Sequence, residues 1–170
     1  MLITREIDYS FRILRAIADG KIHSVKPMCD AESIPWKFAY KILGKLRDAG
    51  IVQNISGVHG GCRLIVDLHD VTALDIFTIV DGKPYVNRCM EQGYVCEWVT
   101  KKGTPCGINH NLSFIQKEFE DMLSKYSMYT LIFEDLYELS GSGESVSEEM
   151  IPESAEAEQK TGQAASVLEA

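Results

Sequence analysis

No stretch of the 170-residue sequence approaches the roughly 18 consecutive apolar residues that a membrane-crossing helix needs. The N-terminus MLITREIDYSF carries Arg5, Glu6 and Asp8 where a secretory signal needs an apolar core, so the chain reads as cytoplasmic, with no membrane partner. There is no CxxC pair, no phosphate-cradling glycine motif, no suggested Ser, His and Asp arrangement and no ferredoxin-like cysteine spacing. Those absences argue against an enzyme or an electron carrier. Cysteine is scarce, with five residues in all. A reducing cytoplasm keeps thiols unpaired, so cysteines that cluster there point to metal ligation or redox chemistry before structural disulfides.

Basic residues are too few for the chain as a whole, which carries a net charge of −8. Nucleic-acid affinity rests on Lys and Arg neutralising phosphates, so that total argues against such a partner. The distribution argues the other way. Residues 1–66 sum to +4, residues 67–140 to −6 and residues 141–170 to −6. A basic N-terminal half on an acidic chain fits a local nucleic-acid footprint, and a solvated surface gives the same pattern. The last thirty residues have almost no large apolar side chains, and this composition predicts a disordered acidic tail over 141–170.

Thr4 can cap a first helix in which Ile7, Phe11, Leu14 and Ala18 recur at helical spacing before Asp19-Gly20. Ser24 can cap a short second helix to about Ala31, with Pro27 in its first turn. Ser33 is the expected cap of a third helix from about Ile34 to Ala49, stopped by Gly50. The third helix is basic through Lys37, Lys41, Lys45 and Arg47, which makes the pair a helix-turn-helix candidate. Ile51–Ile55 and Cys62–Val66 then read as two strands around SGVHGG, a hairpin that makes the motif winged. Thr72 with Asp75 resembles a capping box that opens a fourth helix ending near Asp81-Gly82. Further on, Leu112, Ile115, Phe119, Met122, Tyr126, Tyr129, Phe133 and Leu136 alternate spacings of three and four, a heptad seam. It suits either a helix packed on its own domain or a dimerisation helix; Ser127 and Thr130 are positions where it can break.

Between the fourth helix and the seam lies NRCMEQGYVCEWVTKKGTPCGINHN, which places Cys89, Cys96 and Cys106 within 18 residues. Gly93, Gly103, Pro105 and Gly107 give the irregular backbone that lets several sulfurs converge. By ligand type, Cys89, Cys96, Cys106 and His110 suit an iron-sulfur cluster or a structural zinc ion, although the short spacing of zinc knuckles is missing. Metal-free, redox-switched thiols are the third reading. Cys29 reads as packing and Cys62 as a tolerated surface thiol in the wing.

The segments LITREIDYSFRIL, IPWKFAYKILGKLRDAGIVQNISGVHGGCRL and VTALDIFTIVDG, followed by the cysteine trio, resemble the Rrf family of winged helix-turn-helix regulators, which includes IscR-like and NsrR-like iron-sulfur sensors. The likeness spans roughly residues 1–138. It implies a mainly α fold with a small β wing and a long C-terminal dimerisation helix. It also implies a homodimeric transcriptional regulator, and an iron-sulfur cluster, 2Fe-2S or 4Fe-4S, that senses redox state, iron or nitric oxide. The chain departs from relatives at Ser56 and Cys62 in the wing. It also departs in its wider cysteine spacing, and at Asn109, where some relatives place a histidine. For a fourth ligand the resemblance offers His110, or Asp8 reaching over from a partner subunit.

The implied organisation is a winged DNA-binding domain over 1–82, a cluster-binding loop over 83–111, a dimerisation region over 112–140 led by Leu112, Ile115, Phe119, Met122 and Tyr126, and the tail. Double-stranded, near-palindromic operator DNA is the expected partner. Lys37, Tyr40 and Lys41 share one helical face and can enter a major groove together. Trp36 suits core or interdomain packing somewhat better than contact with a thymine methyl or sugar, and Lys45 and Arg47 suit phosphate contacts or solvent. His59 and Arg63 in the wing are candidates for the minor groove or backbone, with a solvated tip as the alternative. A same-fold regulator without a cluster, responding to a partner protein or small molecule, is the competing reading.

Overall fold

The structure is a computed structural model and describes residues 3–58 and 60–140. The chain divides into a unit over Met1–Glu134 and a second over Asp135–Ala170. The expected tail and His59 lie outside the described residues.

Helix α1 spans Arg5–Ala16, and the Thr4 hydroxyl accepts the Ile7 amide as its cap. Its buried stripe is Ile7, Ser10, Ile13 and Leu14, with Ser10 Oγ donating to the Ile7 carbonyl at 2.6 Å. Helix α2 spans Val25–Ala31 from Ser24, whose side chain makes no cap bond and instead lies 3.5 Å from the Gly60 carbonyl. Helix α3 spans Trp36–Asp48, two residues later than the expected start. Ser33 does not cap it. Ser33 takes a left-handed φ of 54° in the turn, and Pro35 drives the preceding Ile34 out of the helical region, so Pro35 itself stands at the cap. That turn sets α3 across α1, with Tyr9 edge-on to Phe38 at 5.7 Å.

Strands β1, Val52–Ile55, and β2, Gly61–Leu64, pair antiparallel with Val52 opposite Leu64 and Asn54 opposite Cys62. The wing is sewn to the α1–α2 turn by two backbone bonds between His23 and Cys62, each 2.9 Å. A Cβ at Gly61 would overlap the His23 carbonyl oxygen, so only glycine permits this approach. Cys62 is consequently a core residue with no exposure, and the expected surface thiol is corrected: its position on β2 faces inward onto Met28. Helix α4, Ala73–Asp81, opens with both bonds of the Thr72/Asp75 capping box. Phe77 of α4 meets Phe11 of α1, closing a core of α1, α3, α4 and the wing base.

From Asp81 to Ile115 no residue is buried. Between α4 and the next long helix the chain holds a 3-10 turn at Arg88–Met90 and helix α5, Glu97–Lys102. Helix α6, Gly107–Lys125, starts five residues before the expected dimerisation region, with Cys106 at its cap position. The heptad seam does not run on as one helix. Tyr126 turns extended, Ser127 caps a new helix α7, Met128–Phe133, and the Met128 amide donates to the Val71 carbonyl at 2.7 Å. Met128 is fully buried in the winged domain's core. Leu136 falls in the second unit, in a short helix α8, Leu136–Ser140.

Candidate nucleic-acid interface and cysteine site

Helix α3 buries Ala39, Ile42, Leu43 and Leu46 and leaves the opposite side open. Lys37, Tyr40 and Lys41 all lie on that open side, as the spacing predicted. Trp36 joins them, 58% exposed and edge-on to Tyr40 at 6.4 Å, with the Lys37 ammonium over its ring. Packing of Trp36 in its own domain's core is therefore corrected: at the first turn of α3 its side chain is exposed. Arg63 is exposed on β2, and its Nε donates to Gln53 across the hairpin at 2.9 Å. An edge-on aromatic pair, two lysines and a wing arginine form a surface that can pack on sugars and meet phosphates or base edges.

Not every lysine is free to do so. Lys41 Nζ lies 2.5 Å from Glu6 Oε1, and Lys45 Nζ lies 2.9 Å from Glu6 Oε2. Lys45 also donates to the Val80 carbonyl at the end of α4. Lys45 is thus an internal tie between α1, α3 and α4, which corrects its reading as a phosphate contact or solvated charge. Arg47 pairs with its neighbour Asp48. The Glu6 carboxyl is held below its usual range, first by the bond from Lys41 and then by that from Lys45.

The second candidate region is the segment after α4. Cys89, Cys96 and Cys106 are half-buried free thiols, and all three line one concavity of about 1200 Å3 with His110, Tyr94 and Trp98. Cys89 sits in the 3-10 turn, with Asn87 accepting its amide at 3.1 Å; Cys96 and Cys106 stand at the cap positions of α5 and α6. Asn109, one turn into α6, donates its side-chain amide to the Cys89 carbonyl at 3.1 Å and to Cys89 Sγ at 3.4 Å. A donor aimed at sulfur suits a thiolate. Among the described residues, no three His, Cys, Asp or Glu side chains are gathered closely enough to hold a metal ion as they stand. Asp8 does not line this concavity; it pairs with Arg12 at 3.0 Å along α1.

The cysteine segment is anchored at its start by Gln116. This buried α6 side chain accepts the Val86 amide at 2.8 Å and donates to the Pro84 carbonyl at 2.7 Å. Lys83 reinforces the anchor through Glu120 at 2.9 Å. Along α6, Ile115 and Met122 are about half exposed and Ile108 and Phe114 more so, whereas Leu112, Phe119 and, just past the helix end, Tyr126 are half-buried. The roles of Glu6 and Gln116 were invisible in the sequence. The Glu6 partners lie 35 and 39 positions away, and nothing local marks such a pairing. Asn109 had one signal, its place three residues after Cys106.

The arrangement of α2, α3 and the β hairpin defines the winged helix-turn-helix class of DNA-binding proteins. The model of the Rrf2 family, described as iron-dependent transcriptional regulators, matches residues 3–134, and the chain belongs to that family. It is 27% identical over 135 residues to protein aau3 of Rhizobium meliloti, covering 78% of this chain and 85% of the relative. It is 25% identical to the transcriptional regulator NsrR of Bacillus subtilis, covering 78% and 90%. Among solved structures, the oxidised form of Staphylococcus aureus CymR superposes with a TM-score of 0.58 at 18% identity, over 78% of this chain and 97% of that one. T. potens IscR superposes with a TM-score of 0.51 at 16% identity, over 85% and 93%. These likenesses show the same fold. Among the described residues no helix is long and apolar enough to cross a membrane.

Proposed function

We propose that this chain is a homodimeric transcriptional regulator whose affinity for near-palindromic operator DNA depends on an iron-sulfur cluster held by Cys89, Cys96 and Cys106. The observation that carries the reading is that three half-buried free thiols line one concavity, beside a winged domain, in a family described as iron-dependent. The donor set fits the group: thiolate sulfur is the usual cluster ligand, and Asn109 already directs an N–H toward Cys89. When bound, an iron-sulfur cluster supplies a redox-active centre open to oxidants and nitric oxide. His110 lines the same concavity and is the fourth ligand available within the chain, whereas Asp8 is available only from a second copy.

On the DNA side, Trp36, Lys37, Tyr40 and Lys41 enter the major groove while Arg63, with His59, takes the wing contact. Two copies meet through the exposed apolar side of α6 around Ile115 and Met122, with Leu112, Phe119 and Tyr126 at its margins. This sets half-sites roughly 34 Å apart. Cys106 at the cap of α6 joins the two functions, because whatever fixes its position also fixes the start of the dimer helix. Ligand loss then changes the spacing of the two winged domains and their register on the grooves. Operator affinity of cluster-loaded and apo protein is the test, and equal affinities would contradict the coupling.

A second reading is favoured by the separation of the three thiols, which are not gathered around a common point. In it the loop works as a metal-free thiol switch, and the regulator answers a partner protein or small molecule; a zinc-bound loop needs the same gathering of ligands as a cluster. Metal analysis separates the two.

A further inference from the structure

Two lysines on the open face of α3 carry the candidate groove charge, and they stand in different electrostatic settings. Lys37 has no carboxylate partner among the described residues and rests over the Trp36 ring. Lys41 is 57% exposed along its side chain yet its ammonium is held by Glu6, whose own side chain is only 17% exposed. Lys45 shares that carboxylate but keeps a second acceptor, the Val80 carbonyl, so it does not need Glu6 to remain in place. Glu6 projects from the first turn of α1 and is fixed by two lysines, which makes it a stationary anion beside the groove-facing surface. An anion in that position occupies the cation a phosphate would use, and repels the phosphate as well.

We propose that Glu6 is an internal competitor for DNA phosphate that holds Lys41 in reserve, lowering non-specific DNA affinity and so raising the operator's advantage over random sequence. This rests on the reading of α3 as the DNA-contacting helix. At a correct operator the groove contacts position the backbone closely enough for Lys41 to exchange Glu6 for phosphate; on random duplex they do not, and Lys41 stays paired. Glu6 is a specificity-determining residue that need not touch DNA.

The test measures binding of the full-length dimer to random-sequence duplex and to a selected operator duplex between about 50 and 200 mM salt. The variants are Glu6→Gln, Lys41→Gln and the double variant, each checked for a cooperative thermal transition. Glu6→Gln is expected to bind random duplex more tightly at low salt. Its log–log salt slope should be steeper by about 0.9, the value for one more neutralised phosphate, so about threefold more affinity is lost across that salt range. The operator-to-random ratio should fall, and the gain should vanish in the Lys41→Gln background. Glu6→Asp keeps the charge but is too short to hold both lysines, and its slope should fall between the two, which separates release of Lys41 from a change in net charge. An unchanged or shallower slope in Glu6→Gln, or a gain that persists without Lys41, would overturn the proposal while leaving α3 as the DNA-reading helix. Absence of salt-dependent DNA binding by the wild-type protein and every variant would overturn both.

Discussion

Cys62 and Cys89 show how differently the two halves of this molecule treat the same side chain. Cys62 is sealed in the wing base, and burial, with Cys29 nearby, pushes its thiol up to about 11. Cys89 sits in a segment where no residue from Asp81 to Ile115 is buried, and a neighbouring amide points at its sulfur. The winged domain is closed by its own apolar contacts, each fully buried Leu or Ile contributing about 1.5–3 kcal/mol. The cysteine segment is held by polar contacts, the Gln116 anchor at its start and the Asn109 bond to Cys89, and no residue between Asp81 and Ile115 is buried. A rigid reader joined to an open, thiol-bearing connector is the division of labour a regulated DNA-binding protein needs.

The contrast is broken most sharply by alkylation. In native, metal-free protein at pH 8, iodoacetamide is expected to label Cys89, Cys96 and Cys106 but not Cys29 or Cys62, and all five after unfolding. Beyond burial, the Cys62 thiol, pushed up to about 11, holds very little of the reactive thiolate at pH 8. Rapid native labelling of Cys62 would contradict the closed wing base.

Next in size is Gly61→Ala, which forces the wing off the His23 carbonyl and should cost about 3 kcal/mol, roughly 6–12 °C in thermal midpoint. Gln116→Ala strands the Val86 amide and the Pro84 carbonyl. It should cost about 2 kcal/mol and raise hydrogen exchange in the cysteine segment while leaving α1 protected.

The smallest effect is on the acid side. Glu6 is held below its ordinary 4.5 in the folded state. Its stabilisation is therefore complete above the unfolded value and is lost as pH falls through the lower folded one. Glu6→Gln should be less stable at pH 7 by about 1 kcal/mol, and its acid unfolding below pH 4.5 should be correspondingly shallower.

Features whose cause is local were legible in the sequence. Thr4, the Thr72/Asp75 box and the break at Ser127 each depend on a few neighbouring residues, and each stands where the pattern put it. Ser33 misled because a good cap residue two places before a proline cannot cap: Pro35 denies Ile34 the helical region. Cys62 and Trp36 were misplaced because burial of a strand residue, or of a first-turn aromatic, depends on what packs against it from elsewhere in the chain. The Glu6–Lys41–Lys45 group is non-local in the same way. In the cysteine site, spacing brought the three thiols and His110 to one concavity, but neither helix α5 between them nor the Asn109 contact could be read from a glycine-containing loop.

The most direct test of the central claim is iron and acid-labile sulfide per chain in anaerobically purified protein. The protein is expected to be coloured, with iron and sulfide in near-equal amounts, both lost in Cys89→Ala. A colourless protein carrying zinc or no metal, even after anaerobic reconstitution, would contradict that claim and return the cysteine segment to thiol or structural chemistry.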